Sequence, residues 1–165
     1  TALADDPALL PRPAQGRRPF RVVLDEAGCL PATLKLFADG HGQQTIVATT
    51  AASEERWRER LETLGAQVWV LPSRQGHVSL KALLKRLGDA GLLHLLCEGG
   101  SKLAGDLAAQ GLVDEYVFFI APCLFGAEAK ASVGGSGWLL RNRKQLRFVE
   151  TRVCGADIMI RARNA

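Results

Sequence analysis

The sequence predicts an α/β protein with a mostly parallel sheet, covered by helices and followed by a C-terminal hairpin. Short β-branched runs alternate with segments of helical periodicity, which is typical of parallel α/β folds. The run Leu92–Cys97 is almost continuously apolar, as expected for a parallel strand covered on both faces. Near the C terminus, two strand-like segments flank Cys154-Gly155-Ala156, which predicts an antiparallel hairpin.

Composition limits the chain to a small soluble protein. Its 165 residues fit one domain, and 47% hydrophobic with 23% charged residues is ordinary for a globular protein. No apolar stretch approaches the roughly 18 residues that a membrane span needs. We therefore expect no membrane association and a single domain spanning residues 1–165.

The net charge of +4 is compatible with an anionic partner, but aromatic residues make up only 6% of the chain. No aromatic signature of RNA binding interleaves the basic residues, so we expect no nucleic-acid partner. The cysteines and histidines lack zinc-ligand and redox spacing, so we expect free thiols, a reducing compartment and no metal site. Cys97, inside an apolar run, is expected to be buried.

Three strands and one helix are predicted in the first half of the chain. Short runs of β-branched or apolar residues favour strands at Phe20–Asp25, Thr45–Thr50 and Gln67–Pro72. Between the second and third, Ser53 is a candidate N-cap, and apolar residues follow at helical spacing. Gly65 is expected to end this helix in the left-handed conformation.

Two further helices and a strand follow. Ser79 is expected to cap a helix whose leucines recur at helical spacing. After Leu92–Cys97, a helix is predicted over Lys102–Gln110 and closed by Gly111. The run Tyr116–Pro122 predicts another strand.

The joint Glu98-Gly99-Gly100 is the first candidate site. Ligands of parallel sheets gather at the carboxyl ends of strands, and a helix start offers free N–H groups to phosphate. Glycines permit close approach, while Ser101 and Lys102 could add a hydroxyl and a cation. Neither the dinucleotide fingerprint nor a P-loop is present, so a tight turn without a ligand fits the spacing equally well.

A second candidate lies near the start of the chain. Asp6 could cap a short helical turn that leaves the amides of Ala8 and Leu9 open to an anion. Arg12 could supply a bidentate cation for a phosphate. From these residues alone, a surface turn with no ligand is the simpler interpretation.

Three segments together resemble a known family. They read "LADDPAL", "RVVLD" and "EGGSKLAGDLAAQGLVDEYVFFIAPCLFG", in an order and approximate spacing that match from residue 1 to the terminal hairpin. The chain is similar to the reductase domain of the bifunctional riboflavin-biosynthesis deaminase/reductase. The resemblance implies a dihydrofolate-reductase-like three-layer sandwich that lacks the family's N-terminal strand and helix.

The resemblance also implies an activity. Members of the family use NADPH to reduce 5-amino-6-(5-phosphoribosylamino)uracil, a phosphorylated small molecule, to its ribitylamino form. A cytoplasmic homodimer is implied as well. The zinc signature of the family's deaminase is absent from this chain, so deamination is not expected.

The family's site residues carry over by position. Thr1 and Asp5 would contact the cofactor, with Asp5 also assigned to the catalytic group, and Leu9 and Arg12 would hold the substrate. Glu98 would contact the substrate near the reacting centre, and we expect it to order a proton-donating water. The phosphate-binding turn and helix start would comprise Gly100, Ser101, Lys102, Leu103, Ala104, Gly105 and Asp106.

Two other functions remain open from the sequence. One is a reductase of the same fold that acts on another pterin or pyrimidine. The other is a non-catalytic nucleotide-binding or assembly domain. A basic nucleic-acid binder is the least favoured reading of the charge.

Overall fold

The chain divides into two units, residues 1–95 and residues 96–165, in the computed structural model. The structure describes residues 2–11, 18–126, 128–135 and 137–165. That residues 1–165 form a single domain stays a prediction. The α/β fold class is confirmed, because helices accompany a parallel sheet and the chain ends in an antiparallel hairpin.

The N-terminal unit is built on three parallel strands in the order β1-β2-β3. A small β4-β5 hairpin and a 3-10 turn at Gly42–Gln44 accompany them. The elements in chain order are α1 (Ala2–Asp5), β1 (Arg21–Leu24), α2 (Lys35–Ala38), β2 (Thr45–Thr49), α3 (Glu55–Thr63), β3 (Gln67–Val70), β4 (Ser73–Arg74), β5 (His77–Val78) and α4 (Leu80–Asp89).

Two apolar clusters cover the faces of this parallel sheet. Val47 of β2 belongs to the cluster that includes Leu61 of α3, whereas Ile46 belongs to the cluster that includes Leu83 of α4. Alternate side chains of a strand point to opposite faces, so the central strand is covered on both sides. All five residues of β2 are buried, as in a three-layer arrangement.

Of the predicted helix ends next to the parallel strands, Ser79 and Gly65 are confirmed and Ser53 is not. The Ser79 hydroxyl accepts a hydrogen bond from the Ala82 amide, and Gly65 has a φ of +89°, as expected of a cap and a helix end. Ser53 does not cap α3, so that prediction is wrong. Its hydroxyl donates to the Thr50 carbonyl at 2.9 Å, which leaves Glu54 as the N-cap residue.

In the part of the C-terminal unit that the structure describes, an α-helix precedes a three-stranded antiparallel sheet in the order β6-β8-β7. Its elements are α5 (Ser101–Ala109), β6 (Tyr116–Ile120), β7 (Leu146–Cys154) and β8 (Asp157–Asn164), with a 3-10 turn at Leu140–Asn142. The predicted hairpin is confirmed, with Cys154 paired to Asp157 across a turn in which Gly155 has a φ of +65°.

The predicted strand at Leu92–Cys97 is wrong. This stretch is not part of a hydrogen-bonded strand, and Leu93 and Leu96 are 80% and 76% exposed. Cys97 is exposed too, contrary to the expected burial. A strand requires a hydrogen-bonded neighbour, and none of the strand pairings among the described residues includes this segment. Apolar composition alone therefore does not make it a strand.

Candidate functional site

The start of α5, the first candidate site, has a glycine as its N-cap residue. Gly100 is the N-cap residue in an extended conformation, and it has no side chain that could accept a hydrogen bond from the first helical turn. The first amides of a helix have no intrahelical acceptor, and the helix dipole places partial positive charge there. The glycine cap therefore leaves this charge to a ligand or to solvent.

A glycine-rich loop packs against the first turns of α5. The amide of Gly134 donates to the Ser101 carbonyl at 2.8 Å. A Cβ built on Gly105 would lie 2.1 Å from the Gly134 carbonyl oxygen, so no larger residue fits without a backbone shift. The absence of a side chain at Gly105 thus accommodates this loop.

A small cavity of about 60 Å³ lies where the loop meets the helix. Gly105 and Asp106 line it on the helix side, and Gly134, Gly135 and Trp138 line it from the loop. These loop residues are not among the site residues predicted from the sequence. The glycines at 134, 135 and 137, just before Trp138, are the sequence feature that could have indicated a closely packed loop.

Glu98 lies just before this helix start and is exposed. It follows the segment that does not form a strand, so it does not mark the carboxyl end of one. Its carboxylate is accessible to a ligand, as the candidate role requires. The described residues contain no group of three or more His, Cys, Asp or Glu side chains placed to hold a metal ion.

The second group of candidate residues lies in the N-terminal unit. Asp5 ends α1 and is exposed, while Leu9 is half-buried and packs against the cluster of Leu61 and Val47. Thr1 and Arg12 lie outside the described residues. This group and the α5 group belong to different units of the chain.

The predicted role of Asp6 is wrong in one respect. It follows α1 with a φ of +39°, rather than starting a helical turn at Pro7. Its carboxylate instead accepts a hydrogen bond from the Lys35 amide, the first residue of α2, at 2.8 Å. Asp6 therefore caps a helix that lies later in the chain.

A partly buried ion pair, Arg21–Asp39, lies next to the segment that follows Asp6. Arg21 donates to both carboxylate oxygens of Asp39, at 2.5 and 3.2 Å. Partial burial acts to raise the pKa of Asp39, but hydrogen bonds from Arg21 and the His41 amide and the nearby positive charge outweigh it. The pKa of Asp39 consequently lies below its ordinary value of 3.8.

The chemistry of the α5 start is compatible with an anionic ligand. The helix dipole and the hydroxyl of Ser101 suit anionic oxygens, and the glycine cap permits their close approach. Asp106 adds an acceptor at the cavity wall, of the kind that can bind a ribose hydroxyl. The fold and this site therefore define an α/β domain with a helix start suited to a phosphorylated ligand.

Residues 1–160 match the family model of the RibD C-terminal domain. Because the match covers nearly the whole chain, the chain belongs to the RibD C-terminal domain family. It is 32% identical to the riboflavin biosynthesis protein RibD of Actinobacillus pleuropneumoniae, over 97% of this chain and 43% of that protein. The RibD of Escherichia coli is also 32% identical, over 97% of this chain and 46% of that protein.

A third relative is a 2,5-diamino-6-ribosylamino-4(3H)-pyrimidinone 5′-phosphate reductase of Methanothermobacter thermautotrophicus. It is 35% identical, over 83% of this chain and 63% of that protein. Among solved structures, RibD of Acinetobacter baumannii aligns with a TM-score of 0.84 and 25% identity, over the whole chain and 45% of that structure. The chain thus spans less than half the length of the RibD proteins that it matches.

Proposed function

We propose that this chain is an NADPH-dependent reductase that converts 5-amino-6-(5-phosphoribosylamino)uracil to its ribitylamino form in riboflavin biosynthesis. The observation that carries the proposal is the family match over residues 1–160, which includes the glycine-capped start of α5. A relative named as a phosphorylated-pyrimidine reductase supports the substrate class.

The residues at the α5 start would hold the cofactor. The first-turn amides after Gly100, with Ser101 and Lys102, would bind its phosphates, because amide and cationic donors suit anionic oxygens. Leu103 and Ala104 complete this turn, and Gly105 with Asp106 forms the wall beyond it. When bound, NADPH supplies the hydride that the reduction requires.

The family resemblance assigns substrate contacts to Leu9, Arg12 and Glu98. Leu9, through its backbone, and Arg12 would bind the phosphorylated end, where a guanidinium can make a bidentate contact. Asp5, together with Thr1, would contact the cofactor. Glu98 would hold a water that delivers a proton near the reacting carbon, since its carboxylate is exposed.

Steady-state oxidation of NADPH with the phosphoribosylaminouracil substrate tests this proposal. Glu98→Gln should lower kcat about 100-fold while leaving KM for the substrate nearly unchanged, because a proton transfer acts in the transition state. Glu62→Gln, an exposed carboxylate on α3, is the matched control and should behave as the unmodified chain. A raised KM with an unchanged kcat would limit Glu98 to substrate binding.

A second candidate substrate is the 2,5-diamino pyrimidinone, which the archaeal relative's name favours. Comparing kcat/KM for the two phosphorylated pyrimidines distinguishes the candidates. The proposal requires the uracil to have the higher value. NADPH binding with no turnover of either compound would instead favour a non-catalytic nucleotide-binding domain.

The cytoplasmic location and the homodimer stay predictions. Among the described residues, no helix is long and apolar enough to cross a membrane. Analytical ultracentrifugation of the purified chain would decide the oligomeric state, with a mass of twice 17.8 kDa expected for a dimer.

A further inference from the structure

Arg21 has an unusually complete set of hydrogen bonds for a buried side chain. It lies at the start of β1 and is 2% exposed. Besides Asp39, its guanidinium donates to the Leu36 and His41 carbonyls and to the Thr45 hydroxyl. These bonds fix its orientation, because each nitrogen has at least one acceptor.

One further Arg21 bond reaches the N-terminal segment. The Nη1 atom donates to the Ala8 carbonyl at 3.0 Å, in addition to its bond to Asp39. A second attachment lies two residues earlier, where the Asp6 carboxylate accepts from the Lys35 amide at 2.8 Å. Residues 6–9 are therefore held at two points by the folded unit.

The backbone of this segment needs such support. Asp6 and Leu9 have φ values of +39° and +49°, in the left-handed region that non-glycine residues rarely adopt. Such backbone conformations are unfavourable and persist only where the surrounding structure fixes them. The two attachments lie within this segment, so they oppose its relaxation to an ordinary conformation.

We propose that Arg21 and Asp6 are positioning residues, which set the backbone of residues 6–9 so that Leu9 meets the substrate. The inference rests on the proposed function, which places Leu9 at the phosphorylated end of the substrate. Neither side chain is assigned a contact with the reacting carbon. Loosening the segment should therefore weaken substrate binding and leave the chemical step nearly unchanged.

Asp6 offers the sharper test of the two. Replacing Arg21 would leave the partly buried Asp39 without its partner and would destabilise the whole unit. The Asp6 side chain is 38% exposed, so its replacement leaves the core intact. Asp6→Ala removes the acceptor for the Lys35 amide, whereas Asp6→Asn retains an oxygen that can accept it.

The kinetic experiment compares these variants with Asp89→Ala, which removes an exposed carboxylate from α4. Asp6→Ala should raise KM for the phosphoribosylaminouracil about tenfold with kcat within about twofold, Asp6→Asn should largely restore KM, and Asp89→Ala should match the unmodified chain. Equal KM values for all four proteins, or a fall in kcat alone, would overturn the inference.

Hydrogen–deuterium exchange separates this inference from the proposed function. In Asp6→Ala, the amides of residues 8–10 and of Lys35 should exchange faster, while the β2 amides keep their protection. Unchanged exchange at these amides overturns the positioning role, whether or not the chain turns over. Faster exchange in a chain with no NADPH oxidation would support the attachment and count against the proposed function alone.

Discussion

Strands β2 and β6 have similarly apolar sequences, Thr-Ile-Val-Ala-Thr and Tyr-Val-Phe-Phe-Ile, but very different surroundings. All five residues of β2 are buried, between two apolar clusters of the N-terminal unit. In β6 no residue is buried, and Phe119 and Ile120 are 64% and 52% exposed. An apolar run therefore predicts that a strand forms, whereas the burial of that strand depends on which elements pack against its two faces.

The same contrast separates two leucines, and it gives the largest expected effect. Leu61 on α3 is fully buried, whereas Leu96 is 76% exposed. Leu61→Ala should lower the free energy of unfolding by about 2–5 kcal/mol, because a buried cavity remains. Leu96→Ala should change it by less than about 0.5 kcal/mol. Urea denaturation measures both.

An equal loss of unfolding free energy in Leu61→Ala and Leu96→Ala would contradict the contrast between the buried and the exposed leucine. It would mean that the segment around Leu96 is buried in solution, for example against another chain. Repeating the Leu96→Ala measurement over a range of protein concentrations would reveal such an association, because the stability of an oligomer depends on concentration.

A smaller loss of stability is expected on replacing Gly105, which lies against the backbone of Gly134. Gly105→Ala should lower the free energy of unfolding by about 1–3 kcal/mol, since its Cβ would lie 2.1 Å from the Gly134 carbonyl. Gly88→Ala in α4 is the matched control. Nothing lies within 4 Å of its added Cβ, so alanine's higher helix propensity should stabilise by up to about 1 kcal/mol. Stabilisation by both substitutions would show that the glycine-rich loop does not pack on α5.

The smallest effect concerns acid stability of the N-terminal unit. The pKa of Asp39 is depressed in the folded chain, so its ion pair with Arg21 stabilises the fold above the ordinary pKa of 3.8. This contribution is lost as pH falls through the lower folded value. Asp39→Asn should therefore show a shallower loss of stability on acidification below about pH 5. If the free energy of unfolding, measured by urea denaturation, falls with pH equally steeply in Asp39→Asn and in the unmodified chain, the lowered pKa of Asp39 is contradicted.

Local signals predicted most of the elements because their causes lie close in sequence. The Ser79 cap, the left-handed Gly65 and the two-residue turn before Asp157 each depend on a few neighbouring residues. The strand predicted at Leu92–Cys97 is wrong because strand pairing depends on residues that are distant in sequence. The N-cap predicted at Ser53 is wrong because its hydroxyl donates to the Thr50 carbonyl instead.

The candidate site was predictable only in part for the same reason. Gly100 and the start of α5 follow from the glycine joint and helical periodicity. The packing of Gly134 on Gly105 joins residues about thirty positions apart, and no local pattern encodes such a contact. The attachment of Ala8 to Arg21 is likewise a property of the folded unit.

Transfer of deuterium from NADPH labelled at nicotinamide C4 is the decisive test of the proposed reductase activity. We expect the ribitylamino product to carry one deuterium at C1′ of the former ribose when the transferring face is labelled. Mass spectrometry of the product reads this out. Product that is unlabelled with both of the separately labelled C4 faces, or no product with cofactor and substrate both bound, would contradict the claim that this chain is the reductase.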